Sequence, residues 1–179
     1  ETRHRYVSPL ALLPTSTRKS VSTATAKDSS DNSQHSEIES EPIRMLYYLK
    51  VYAVTLVGFF AIDIVWLAVV AHAFYRKHLG FLLADQPNWW AAIPFYLLFV
   101  AGMVVFVVAP ALQAGSIWRA LVLGAFFGLV TYATYDLTNH ATVKNWPWIV
   151  TAVDLCWGAV LSASVCCIGY LAGRWLGAA

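Results

Sequence analysis

Charge is what this sequence has least of. Only 12% of its 179 residues are Asp, Glu, Lys or Arg and 59% are hydrophobic, against about 25% and 45–50% in an ordinary soluble domain. A typical water-soluble globule is excluded. Residues 45–179 hold four acids (Asp63, Asp85, Asp136, Asp154) and six bases (Lys50, Arg76, Lys77, Arg119, Lys144, Arg174). Such a sparse set lacks the electrostatic footprint of a nucleic-acid binder, so no nucleic-acid partner is expected. Cysteine is limited to Cys156, Cys166 and Cys167 in one apolar stretch. They can form no disulfide framework, lack zinc-site spacing, and read as small buried packing residues. Ser162 and Ser164 have no His within helical reach and no G-x-S-x-G context, so a serine nucleophile is unsupported. No catalytic residue and no cofactor is assigned.

Residues 1–44 differ from the rest. They are rich in Ser and Thr, nearly free of aromatics, and have no apolar run longer than Leu10 to Leu13. Such a segment cannot bury enough apolar surface to fold alone, and a disordered or extended N-terminal tail is expected. Its first part is basic (Arg3, Arg5, Arg18, Lys19, Lys27) and its second acidic (Asp28, Asp31, Glu37, Glu39, Glu41). An Arg-, Ser- and Thr-rich, acid-poor leader resembles an organellar targeting segment or its remnant, mitochondrial or plastid; a solvated linker is the alternative.

From Met45 the chain turns apolar. Four stretches, about 48–74, 90–110, 117–138 and 148–173, are long enough to cross roughly 30 Å of hydrocarbon, which takes about 20 helical residues. They are too long and continuous for barrel strands. The expected fold is therefore all-α: an integral membrane four-helix up-down bundle over residues 45–179, with short loops and both termini on one side. Trp89, Trp90, Trp118, Trp146, Trp148 and Trp175 lie near the expected ends, as an interfacial aromatic belt requires. Ala120, Gly124 and Gly128 recur every four residues on the third helix, and Gly158, Ser162 and Cys166 on the fourth, with Gly169 and Gly173 beginning a second row. Small residues at this spacing let backbones approach in lipid, so the third and fourth helices should cross tightly.

Three of the four acids fall inside these spans, where a charged carboxylate near the centre costs about 2.5–3.5 kcal/mol on insertion scales. Asp63 lies near the middle of the first helix, Asp136 within a turn of the expected end of the third, and Asp154 about 9 Å inside the start of the fourth. Alternating helix directions put them in one half of the membrane. Helical spacing places Tyr132, Asp136, Asn139 and His140 on one face, with Lys144 able to reach back from the loop. Asp63 and Trp66 share a face on the first helix, as do Asp154 and Trp157 on the fourth, so Asp-x-x-Trp occurs twice. Each indole N–H can donate to a carboxylate or a ligand at membrane depth.

Three readings of this region stand side by side. The acids can be interhelical hydrogen-bonding glue, worth roughly 0.6 kcal/mol per bond. They can form a binding site for a cation, a proton or a polar head group, with Asp63 or Asp154 titrating abnormally. Asp136 and His140 at i and i+4 can also supply half of a metal site, which no further His-rich motif supports. His72 and His78 read as interfacial.

The segments Ala61-Ile-Asp63-Ile-Val-Trp66-Leu, Phe74-Tyr75-Arg76, and Tyr135-Asp136-Leu-Thr-Asn139-His-Ala-Thr142-Val-Lys144-Asn-Trp146-Pro147 leading into Val153-Asp154-Leu-Cys-Trp157-Gly158 resemble domain of unknown function 2177, a family of four-helix membrane proteins mostly from bacteria. The resemblance covers about residues 45–177 and implies fold and membrane location without an activity. Residues 1–44 depart from the family pattern as an added extension.

The expected ligand-binding set is thus Asp63, Trp66, Tyr132, Asp136, Asn139, His140, Lys144, Asp154 and Trp157. The expected role is a pocket between helices that binds or moves a small cationic or lipid-like ligand or protons, with the lipid bilayer as its surroundings. A non-catalytic accessory subunit of a larger organellar membrane complex, docked on other membrane-protein subunits through the small-residue rows, is the alternative.

Overall fold

The computed structural model describes the backbone of residues 18–177 and the side chains of residues 41–177. Contacts divide the chain into two units, Glu1–Arg44 and Met45–Ala179, and the second holds the apolar helices. For residues 1–17 the expected extended tail lies outside the described residues. Helical backbone begins at Arg18, where α1 (Arg18–Trp66) starts.

After α1 come α2 (His72–Leu79), α3 (Trp89–Met103), α4 (Ala109–Gln113), α5 (Ile117–Thr142) and α6 (Trp148–Gly177), with no strand among the described residues. They make up four helices long and apolar enough to cross a membrane: Glu41–Leu79, Trp89–Gln113, Ile117–Thr142 and Trp148–Gly177, hereafter the first to fourth spans. Their exteriors carry exposed Val57, Ile64, Val69, Leu98, Phe106 and Val122, a coat that only lipid covers favourably. The starts follow local chemistry. Asn88 accepts from the Trp90 N–H at 3.1 Å and Ser116 from the Arg119 N–H at 3.3 Å, each satisfying a donor that a helix N-terminus leaves free.

Two spans are not regular α-helix. Leu67–Ala71 in the first and Val104–Val108 in the second wind as π-helix. The second of these sits just before Pro110, which has no N–H to offer the carbonyl one turn back, so the ladder loosens there. The second span therefore continues past its expected end at residue 110 to Gln113. The third runs four residues beyond expectation to Thr142 and sets Asp136 nearly two turns inside. Not all expected belt residues are interfacial: Trp89, Trp90, Trp118, Trp148 and Trp175 are exposed, but Trp146 is buried. Its indole N–H donates to Thr151 Oγ1 at 3.0 Å and its ring meets Tyr135 edge-on. Among the cysteines only Cys166 is buried; Cys156 points outward, because it lies on the helix face opposite the packed row.

The third and fourth spans make the most extensive contact in the bundle, and the small-residue rows lie in it. A Cβ on Gly128 would run into the Gly158 carbonyl, and one on Gly124 would lie 2.9 Å from the Ser162 carbonyl oxygen. The second row faces elsewhere: Gly169 abuts Thr55 and Val108, while Gly173 abuts Leu112 and Tyr47, whose hydroxyl donates to the Gly173 carbonyl at 2.9 Å. The fourth span thus uses its small residues on three neighbours. Val100, Met103, Val107, Leu161 and Val165 fill the core between them. Gly128→Ala is expected to destabilise the bundle by about 1–3 kcal/mol, the usual range for overpacking. Gly177→Ala, whose Cβ meets nothing nearer than 3.6 Å, should stay within about 0.5 kcal/mol. Unfolding in mixed micelles measures both, and equal stability of the two variants would contradict the close crossing.

Candidate functional site

The antiparallel register that pairs Gly128 with Gly158 continues toward the loop between the third and fourth spans. The Tyr132 ring lies directly over Gly158, so closely that any Cβ there would overlap it. One turn on, Asp136 comes beside Asp154. Both are buried, Asp136 completely and Asp154 to 6% exposure. Tyr75 of the first span donates its hydroxyl to Asp154 Oδ1, whereas Asp136 has no donor beside it other than the Asp154 carboxyl.

Asp63, at 7% exposure, lies on the inner face of the first span next to Tyr96 of the second and Trp157 of the fourth. Trp157 stacks on Trp66 with ring centroids 4.2 Å apart and planes 11° from parallel. The two Asp-x-x-Trp motifs thus meet through their tryptophans. The Trp157 indole N–H, expected to donate to a carboxylate or a ligand, is buried beside the Asp63 carboxyl. Tyr132 stands between the acids, within electrostatic range of Asp63, Asp136 and Asp154.

A cleft of about 580 Å³ opens beside Asp136 and Asp154, walled by Phe95, Phe99, Tyr132 and Tyr135. Thr131 and Thr134 also line it, but their hydroxyls bond back to carbonyls of their own helix, at 2.9 Å to Phe127 and 2.8 Å to Val130. Their methyl groups complete an apolar wall. A second cavity, about 660 Å³, lies at the end of the first span and the loop after it, with His72, Tyr75, Arg76 and Asp85 among its lining. Tyr75 belongs to this cavity and to the acid pair at once.

Of the nine residues expected at the site, Tyr132, Asp136 and Asp154 share the cleft, and Asp63, Trp66 and Trp157 form the adjoining cluster. Asn139, His140 and Lys144 do not line the cleft, and His140 and Lys144 are exposed. Asn139, half-buried, and His140 lie on the Asp136 face of the third span, and Lys144 follows beyond its last residue, Thr142. Among the described residues no group of three or more His, Cys, Asp or Glu side chains is placed to hold a metal ion. The one salt bridge among them is Arg44–Glu41, so no Lys or Arg neutralises the buried acids.

Tyr75, Tyr96, Phe95 and Phe99 were not among the expected site residues. Tyr75 escapes a helical-wheel reading for a geometric reason. In an unbroken α-helix the twelve residues from Asp63 leave it about 120° around the axis. The π turn at Leu67–Ala71 winds more slowly and takes back much of that angle.

With this geometry the comparison with known families is direct. Residues 48–171 match the family model described as predicted membrane protein, DUF2177. The chain belongs to this family. No curated protein and no solved structure matches it. The matched stretch contains Asp63, Asp136, Asp154 and Tyr75, so the whole acid cluster lies within the family domain.

The bond from Tyr75 is testable. Tyr75→Phe removes the one donor to Asp154 and should cost about 1–2 kcal/mol, between the values for soluble and membrane hydrogen bonds. A double-mutant cycle with Asp154→Asn should show coupling, and strictly additive effects would mean that the bond contributes nothing.

Proposed function

We propose that this membrane protein uses its buried carboxyl groups as an intramembrane binding site for a small cationic ligand or for protons. The observation that carries the reading is the Asp136–Asp154 pair: two buried carboxyls set against each other, with no basic side chain in a salt bridge to either. Two carboxylates side by side in apolar surroundings cannot both carry charge without a counter-charge, so the pair needs a bound proton or a bound cation. A purely structural role is less well supported, because a carboxyl serving as interhelical glue has its acceptors filled by the neighbouring helix. The cavity at the membrane edge supports an access route, since its Tyr75 hydroxyl reaches Asp154 directly.

The accessory-subunit reading draws on the composition of the N-terminal segment, which is also the sole support for an organellar membrane. The small-residue rows that would have carried subunit docking are occupied inside the bundle by the third span and by Thr55, Val108 and Leu112.

The test is infrared difference spectroscopy on reconstituted protein across a pH series and with added cations. The carboxyl C=O band should change with pH or cation, and Asp136→Asn and Asp154→Asn should each remove part of the change. A saturating cation at about 100 times its Kd should also stabilise the fold by about 2.7 kcal/mol, by mass action. Identical difference spectra for the wild type and both variants would leave the cluster without a binding role.

A further inference from the structure

Beyond the acid pair, and independently of it, we infer that the cavity at the end of the first span holds one phospholipid with a zwitterionic, primary-amine headgroup, of the phosphatidylethanolamine class. The polarity of this cavity runs along the helix that forms its inner wall. Leu67 and Ala71 line the end deeper in the membrane, and His72, Tyr75 and Arg76 the end nearer the loop. Nine residues separate Leu67 from Arg76, or roughly 13 Å of helical rise. A ligand that fills the cavity is therefore apolar at its deep end and polar at its outer end, as a lipid of that leaflet stands.

The outer wall comes from the loop. The Leu82 and Leu83 N–H groups both donate to the Leu79 carbonyl, at 2.8 and 3.1 Å, and this turn brings Leu83, Ala84 and Asp85 round to the cavity. The same loop exposes Phe81 and Leu82, and Trp89 and Trp90 follow at the start of the second span, also exposed. Indoles and apolar side chains bared at the end of a span belong at the membrane–water interface. That sets the cavity at headgroup depth, where bilayer lipid is the nearest source of a ligand.

Charge names the headgroup. Arg76 and Asp85 line one cavity of about 660 Å³, a volume ordinary for a ligand pocket. They form no salt bridge with each other, the one salt bridge among the described residues being Arg44–Glu41. A guanidinium suits a phosphate and a carboxylate suits an ammonium, so a headgroup with both charges answers both side chains. His72 stands one turn before Arg76 on the same helical face and offers a ring N–H to the same phosphate. A purely anionic headgroup would meet Asp85 with nothing to offer it. A choline has no N–H for Asp85 and is held by a cage of aromatic rings, whereas Tyr75 is the sole aromatic in the described lining.

Native mass spectrometry of the delipidated chain in dodecyl maltoside tests the class, by titration with the dioleoyl forms of phosphatidylethanolamine, phosphatidylcholine and phosphatidylglycerol. Phosphatidylethanolamine should fill one site about fivefold more tightly than either of the others. Arg76→Gln should weaken phosphatidylethanolamine and phosphatidylglycerol alike, about fivefold. Asp85→Asn should weaken phosphatidylethanolamine about fivefold without weakening phosphatidylglycerol, and so remove the preference. Lys77→Gln, a neighbouring cation outside the lining, should leave all three affinities within about twofold. Glycerophosphoethanolamine, the same headgroup without its chains, should compete about a hundredfold more weakly, because it lacks the apolar end.

Equal affinity for the three lipids, or tightest binding of phosphatidylglycerol, would overturn the headgroup class, and both comparisons use the wild-type protein, so they decide it even if a variant fails to fold. An undiminished preference for phosphatidylethanolamine in Asp85→Asn would overturn the role of that carboxylate. Competition by glycerophosphoethanolamine at the concentration of the whole lipid would assign the cavity to a soluble ligand and overturn the lipid. None of these outcomes touches the carboxyl band of Asp136 and Asp154, so failure here leaves the reading of that pair standing.

Discussion

The approach of Gly128 to Gly158 is the contact on which the rest of the bundle depends. Lipid gives helices no hydrophobic reason to associate, so close packing must supply the attraction, and it does so best where neither backbone carries a side chain. Here the Gly158 carbonyl occupies the place of a Gly128 Cβ, and the register of the third and fourth spans is set within a fraction of a turn. Everything on the loop side inherits that register. Tyr132 closes over Gly158, and Asp136 arrives beside Asp154. Two acids that lie on different helices become a pair because glycines about one turn from Asp154 and two turns from Asp136 set the alignment.

Burying that pair is costly, and the compensation is uneven. Asp154 receives the Tyr75 hydroxyl, and Asp63 has Tyr96 and Trp157 beside it. Asp136 has only the Asp154 carboxyl beside it. If the cluster served cohesion alone, the most deeply buried acid would be the best partnered; instead it is the least. A cleft opens beside the pair, walled by Phe95, Phe99, Tyr132 and Tyr135. The π turn at Leu67–Ala71 serves the same arrangement from the opposite side, by rotating Tyr75 toward the acid pair.

Much of this was legible along the chain. Hydropathy marked four spans, and spacing marked the small-residue rows and the intramembrane acids. The twin Asp-x-x-Trp motifs were visible, although not that their indoles stack on one another. Other features misled for identifiable reasons. Asn139 and His140 share a helical face with Asp136 and Lys144 follows in the loop, but none of the three lines the cleft, because the third span runs on to Thr142 beyond it. Trp146 has the position of a belt residue, yet Thr151 offers its N–H a partner indoors. Phe95 and Phe99 carried no mark along the chain, since nothing local distinguishes a ring that borders a cleft.

The linear order of residues was sufficient to determine the membrane location, the number of spans, the tight crossing of the last two and the family. These follow from transfer free energy and from the spacing of small side chains, both summed over neighbours in the chain. Only the tertiary structure decided which polar groups find partners and which are left facing a cavity. That outcome depends on the rotational phase of each helix about its axis and on its register against the next. A single π turn shifts the phase of everything beyond it, and it leaves no mark in composition or periodicity.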